Sequence, residues 1–205
     1  MDTPEPGEAD GAVAAPQGGT VLLLICECMR RPWHLPAIGA AGVTDRRMRR
    51  QLYGAFLVLS LLQGLACALI ARAPAQRPLL AMAVTLTTMV ALLLMTTLAM
   101  WVLATFFRPT AKFGELLSGL TLCQVFGALA FLAGSIVVEL LVRVDLCAPM
   151  PALLVLWLLS LLLMALLIIY FITGAFDMGY RAAVGAFAVL VFILFVLVRV
   201  GSLFL

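Results

Sequence analysis

Few side chains in this 205-residue sequence could do chemistry, and they sit at the edges of long apolar runs. Asp177 and Arg181 lie four residues apart in YFITGAFDMGYRAA. As a buried pair they would mark a conduction path, because ionisable groups inside lipid are costly and are usually kept for function. As a solvated pair they would mark only where the chain leaves the lipid and turns back. Gly174 and Gly179 suit a helix end and a tight turn, and an exposed ion pair contributes only about 0 to 1 kcal/mol. A short turn containing Asp177, Gly179 and Arg181 is therefore expected. Glu115 with Lys112, and Glu139 with Arg143, flank the third apolar run in the same manner, the latter at the i,i+4 spacing that lets a helix join them. Arg199, with six residues after it, is placed to reach the outer interface by its long stem.

Nothing else resembles a reaction centre. Cys26-Glu27-Cys28 is half a thiolate motif without a second pair, and His34 is the only histidine, whereas zinc sites use four convergent ligands. The sequence has no Walker loop, no H-E-x-x-H and no G-x-S-x-G. No catalytic residue, metal or cofactor is expected. The five cysteines are odd in number and scattered, unlike a secreted disulfide framework, although a bond between Cys67 and Cys147 near one face is allowed by their positions. In the second apolar run Thr85, Thr88 and Thr96 fall on roughly one helical face. They could line a polar path, but threonine in a membrane helix more often bonds its own preceding carbonyl. Gln63 and Gln124 are the amides inside spans, and a hydrogen bond between helices would account for either.

The elements that must position these residues follow from composition. Hydrophobic residues make up 65% of the chain and charged ones 11%, with a mean hydropathy of +1.19, far from the soluble average. About 20 apolar residues at about 1.5 Å each cross a hydrocarbon core of about 30 Å. Five stretches qualify: 52–71, 79–107, 116–142, 152–176 and 182–205. Backbone amides find no water in lipid, and the runs lack the dyad alternation of a barrel, so each is expected to be a helix. The fold class is all-α, a polytopic transmembrane bundle of five spans over 52–205.

Ahead of the spans, residues 1–19 are Pro-, Gly- and acid-rich and are expected to be a disordered cytoplasmic tail. No basic residue precedes the first apolar run, so no cleaved leader is expected. Residues 20–51 read as a basic interfacial or juxtamembrane region. There Trp33, Arg30 and Arg31 suit the cytoplasmic leaflet, and Arg46, Arg47, Arg49 and Arg50 suit anionic headgroups; a surface helix packed under the bundle is the alternative. With the N-terminus inside, that side carries Arg30, Arg31, Arg46, Arg47, Arg49, Arg50, Arg108, Lys112 and Arg181, and the other only Arg72, Arg77 and Arg143. Nine against three favours a cytoplasmic N-terminus and an outer C-terminus. The formal net charge is only +3, so a nucleic-acid partner is not expected.

Gly119, Cys123 and Gly127 recur every four residues, with Ala130 and Gly134 continuing the stripe. Small residues let helix backbones approach in lipid, where no hydrophobic force drives association. The stripe reads as a helix-packing seam, facing either another span or a second subunit. Ala182 and Ala186 offer a smaller version.

The order of features resembles the Yip family, the Ypt/Rab-interacting membrane proteins, in its bacterial branch. The stretches that carry it are RRQLYGAFLVLSLLQGL, FFRPTAKFGELLSGLTLCQVFGALAFLAG and WLLSLLLMALLIIYFITGAFDMGYRAAVGAFAVLVF. Within them, Phe113-Gly114-Glu115-Leu116-Leu117 is similar to the family's lead-in to the third span, and Gly179-Tyr180-Arg181 to its turn before the last. The resemblance covers roughly 46–205 and implies five spans, a cytoplasmic N-terminus and helix-mediated association with a membrane-protein partner or a second copy. The D-L-x-G-P motif of eukaryotic members is absent, so their GTPase partnership is not carried over. The leading expectation is a non-enzymatic scaffolding or membrane-organising protein of the bacterial inner membrane. A small transporter or channel component, motivated by the threonine face, Glu139 and Arg199, is the alternative, and an interfacial lipid-binding regulator working through residues 21–50 is a third reading.

Overall fold

The computed structural model describes residues 46–71, 77–107 and 112–201, with side chains as far as residue 196. The expected tail over 1–19, the segment 20–45, Arg72, Arg108 and the side chain of Arg199 lie outside the described residues. Within them every element is a helix: α1 (Arg46–Ile70), α2 (Pro78–Phe107), α3 (Phe113–Arg143), α4 (Pro149–Phe176) and α5 (Tyr180–Gly201). The first four are long and apolar enough to cross a membrane. The fifth expected span is present as a helix but is the shortest, at 22 residues. The 30 residues of α2 and 31 of α3 extend to about 45 Å, so these helices must tilt or project beyond an ordinary hydrocarbon core.

The helix boundaries have local causes. Proline opens α2 and α4, where its missing N–H is one of the unpaired donors of a first turn anyway. Glu115 sits in the first turn of α3 and Arg143 in its last, each complementing the helix dipole. Two helices end on aspartate in the left-handed region, Asp145 at φ 56° after α3 and Asp177 at φ 49° after α4. The Leu146 N–H bonds the Leu141 carbonyl at 3.0 Å, and the Met178 N–H bonds the Thr173 carbonyl at 3.1 Å. These are the six-to-one bonds that usually accompany a glycine at this position. Aspartate tolerates it because its short polar side chain suits the left-handed region better than most.

The helices run alternately up and down. Arg49 Nη1 would lie 3.7 Å from a Cβ on Gly114, which sets the starts of α1 and α3 at one end. The Phe107 and Phe176 rings meet there too, at 6.2 Å. Arg46, Arg47, Arg49, Arg50, Lys112 and Arg181 therefore share one end of the bundle, while Arg77, Glu139, Arg143 and Asp145 share the other. RRMRR is already helical and belongs to α1, so it is not a segment ahead of a helix starting at Leu52. Met48 is buried between exposed Arg47 and half-buried Arg49.

α3 is the hub, packed against α1, α2 and α4, while α5 closes the ring by lying against α4 and α2. The core runs along α3 through Leu116, Leu120, Leu122, Cys123 and Val125 and takes in Leu52 and Phe56, Met100 and Leu103, and Phe171 and Ile172 from its neighbours. The leucine run of α4 points mostly outward, with Leu154, Leu158, Leu159, Leu161 and Leu162 exposed.

Candidate functional site: a cavity inside the helix ring

The small-residue seam of α3 is filled from within the chain. A Cβ on Gly119 would strike the Phe171 ring, one on Gly127 the Met164 side chain, and one on Gly134 Leu156 Cδ1. Between the first two, the Cys123 thiol reaches the Leu167 carbonyl at 3.8 Å. The partners descend α4 as the glycines ascend α3, so Gly119, Cys123, Gly127 and Gly134 form one antiparallel interface in which bulky side chains enter slots left by missing ones. A closer approach occurs elsewhere. A Cβ on Gly64 of α1 would lie 2.6 Å from Met82 Cα and 2.9 Å from the Ala81 carbonyl oxygen of α2. This is backbone against backbone. Ser60, Gly64 and Ala68 recur every four residues and all are buried, so the sequence does carry a signal for this contact, a small-residue stripe of α1 that was missed beside those of α3 and α5.

Several residues that could do chemistry prove to be structural. Thr87, Thr96, Thr97 and Thr105 donate to carbonyls three or four residues back at 2.6–2.9 Å, as threonine in lipid-facing helices tends to do. Arg143 Nε donates to Glu139 Oε1 at 2.9 Å within α3, with the arginine side chain 72% exposed. Asp177 and Arg181 are both exposed, and no ion pair joins them among the described residues. The expected helix-end role of glycine also changes: Gly174 lies inside α4, Gly179 precedes α5, and Asp177 itself takes the left-handed turn. Cys67 and Cys147 are free thiols, not a disulfide. Among the described residues no group of three or more His, Cys, Asp or Glu side chains could hold a metal.

What the structure brings together is neutral and polar. A cavity of about 410 Å³ lies inside the ring and is lined from all five helices, by Gln63 of α1, Thr88, Met89 and Thr96 of α2, Gln124 and Gly127 of α3, Trp157, Ser160 and Met164 of α4, and Phe187 and Leu190 of α5. Each of these residues lies at least seven residues from either end of its helix, about 10 Å at the helical rise, so the cavity sits at hydrocarbon depth when the helices span a bilayer. Its volume lies in the range of about 300–1,000 Å³ usual for ligand sites. Thr88, Leu92, Leu161 and Val191 are exposed members of its wall and mark a sideways mouth among α2, α4 and α5.

Gln63 is 4% exposed and Gln124 9%, yet neither amide has a hydrogen-bond partner among the described residues. Among the described residues no fully enclosed side-chain nitrogen or oxygen is left unsatisfied, so both amide heads keep accessible surface, and both residues line the cavity. The interhelical hydrogen bond expected of each is not made. A buried polar group without a partner costs about 1–3 kcal/mol, so two facing one space make it a place where a hydrogen-bonding molecule is favoured. Thr88 and Ser160 also have uncommitted hydroxyls, whereas the Thr96 hydroxyl donates to the Leu92 carbonyl at 2.6 Å and can only accept. Thr85 is not part of the lining, so the threonine face enters the cavity through Thr88 and Thr96 alone. The convergence was invisible in sequence because the five polar residues lie on four helices. The comparisons add no name to this geometry: no protein-family model, no curated protein and no solved structure matches the chain.

Proposed function

We propose that this integral membrane protein works by non-covalent binding within the bilayer, with the five-helix cavity as its binding site and no reaction of its own. The observation that carries this reading is the convergence of Gln63, Thr88, Thr96, Gln124 and Ser160 on one space at mid-helix depth. Polar groups there are expensive unless they serve packing or function, and Gln63 and Gln124 make no packing hydrogen bond. The lining supplies amides and hydroxyls but no carboxylate, imidazole or ammonium, which supports binding over acid–base chemistry. A role as a transporter or carrier component fits this best. The end of the bundle with the basic cluster faces the cytoplasm in this reading, as the excess of Arg and Lys there favours.

The resemblance to the Yip family supports a second reading, membrane organisation through helix contacts with a partner protein or a second copy. The α3 seam does not serve it, being occupied by α4. The observation in its favour is a groove of about 590 Å³ between α2 and α5, lined by Leu103, Phe107, Ala182, Gly185, Ala186 and Val189. Native mass measurement from a mild detergent separates the two. A retained small molecule that Ala165→Phe, placed in the cavity wall, removes supports the binding reading. A bare single chain overturns both, and a multiple of the chain mass or a co-purifying membrane protein with no small molecule favours the organising role.

A further inference from the structure

Resting on the binding reading, we infer that the cavity takes an uncharged, hydrocarbon-rich molecule bearing a carbonyl or hydroxyl oxygen, admitted sideways from the lipid between α2, α4 and α5. Each glutamine amide offers two donors and one acceptor, and both amides lie deep in the cavity, nine-tenths or more buried and without protein partners. They suit an oxygen acceptor on the ligand. At the exposed mouth, Thr88 offers an uncommitted hydroxyl.

Charge is excluded by distance. The nearest charge to Gln124 along α3 is Glu115, nine residues (124 − 115) before it, or about 14 Å at the helical rise. Arg50 lies thirteen residues (63 − 50) before Gln63 along α1, or about 20 Å. No ionic side chain lines the cavity, so an ionised headgroup at this depth would be desolvated with no countercharge beside it. The rest of the wall is hydrocarbon and thioether. Met89 and Met164 are unbranched and adaptable, the side chains best able to fit chains of differing shape. Entry from the side follows from where the wall is thin: Leu92, Leu161 and Val191 are 40%, 53% and 48% exposed, and all belong to helix middles, not to the wet ends.

Two tryptophans provide the test. Trp157 lines the cavity beside Phe131, at 5.1 Å between ring centroids, whereas Trp101 is 42% exposed on the outer surface and lies outside the cavity lining. Full-length protein would be prepared in lipid nanodiscs as Trp33→Phe/Trp101→Phe, leaving Trp157, and as Trp33→Phe/Trp157→Phe, leaving Trp101. Quenching would be titrated with a bromoalkanol, a bromoalkane and a bromoalkanoate of equal chain length. The expected result is saturable quenching of Trp157 by the alkanol, at about tenfold lower concentration than by the other two, with only gradual partition-like quenching of Trp101. Gln63→Leu and Gln124→Leu should each raise the half-quenching concentration about tenfold, the equivalent of one hydrogen bond of about 1.4 kcal/mol. Gln63→Met and Gln124→Met serve if the leucine variants do not elute as single species. Equal saturable binding of alkane and alkanol, or unchanged half-points in the glutamine variants, would overturn the assignment of an oxygen-bearing ligand and leave intramembrane binding standing. Tighter binding of the alkanoate would overturn its neutrality. Unsaturable quenching, equal at both tryptophans, would overturn the binding reading as well.

Discussion

Two small-residue surfaces of this protein stand in contrast, one filled and one open. Along α3, Gly119, Gly127 and Gly134 receive Phe171, Met164 and Leu156 of α4. Along α5, Ala182, Gly185 and Ala186 border an open groove, and a Cβ on Gly185 would meet nothing within 4 Å. The spacing of small residues marks where two helices can come close, but what occupies the slot depends on whether bulky side chains on a neighbour arrive in register. α4 supplies them at intervals that match α3. α2 instead lines the α5 groove with Val102, Leu103, Phe106 and Phe107, which leave it open.

Glycine-to-alanine substitutions grade this contrast, read as unfolding free energy in detergent or bicelles. The largest loss is expected at Gly64, where the added Cβ meets Met82 Cα and the Ala81 carbonyl oxygen. Neither atom can rotate away, and overpacking of this kind costs about 1–3 kcal/mol. Gly119→Ala should come next at about 1–2 kcal/mol, because the stiff Phe171 ring is 1% exposed and has nowhere to move. Gly134→Ala and Gly127→Ala should cost less, below about 1 kcal/mol, since Leu156 can change rotamer and Met164 can swing toward the cavity it borders. Gly185→Ala should be neutral or gain up to about 1 kcal/mol from helix propensity alone. A Gly185→Ala loss as large as that of Gly119→Ala would show that the groove is closed in the membrane, and the comparison would break.

Two smaller effects sharpen it away from the interfaces. Asp177→Gly should stabilise by up to about 1 kcal/mol, because glycine takes φ 49° without steric cost, and thermal unfolding with Asp177→Ala as the opposing variant would register the sign. Glu139→Gln should change stability by no more than about 0.5 kcal/mol, since its Arg143 partner is largely exposed. A larger loss would place that pair in a drier setting than the helix end provides.

Cysteine labelling bears on the cavity in the same way. Thr88→Cys, at the mouth, should react with a membrane-permeant thiol reagent faster than Thr97→Cys, whose position is wholly buried. Comparable rates at the two sites would mean that the ring of helices opens more widely than the packing of α2 indicates.

Much of the architecture was legible along the chain because lipid imposes a length and a polarity on each element separately. The five runs, their helical state and the gathering of Arg46, Arg47, Arg49, Arg50, Lys112 and Arg181 at one end are properties of single segments and of their order. The small-residue stripe was legible for the same reason, since spacing within one helix is a local fact. Its partner was not. That Phe171, Met164 and Leu156 fill it, that Gly64 carries the closest backbone approach, and that Asp177 turns the chain where glycine was expected all depend on another helix or on a backbone angle. The cavity lies furthest from the sequence. Gln63 and Gln124 are separated by a whole span and two connections, and each alone reads as a residue that hydrogen-bonds a neighbouring helix. Only the packing of α1 against α3, with α5 closing the ring, brings the two amides to one shared space and leaves both without a partner among the described residues.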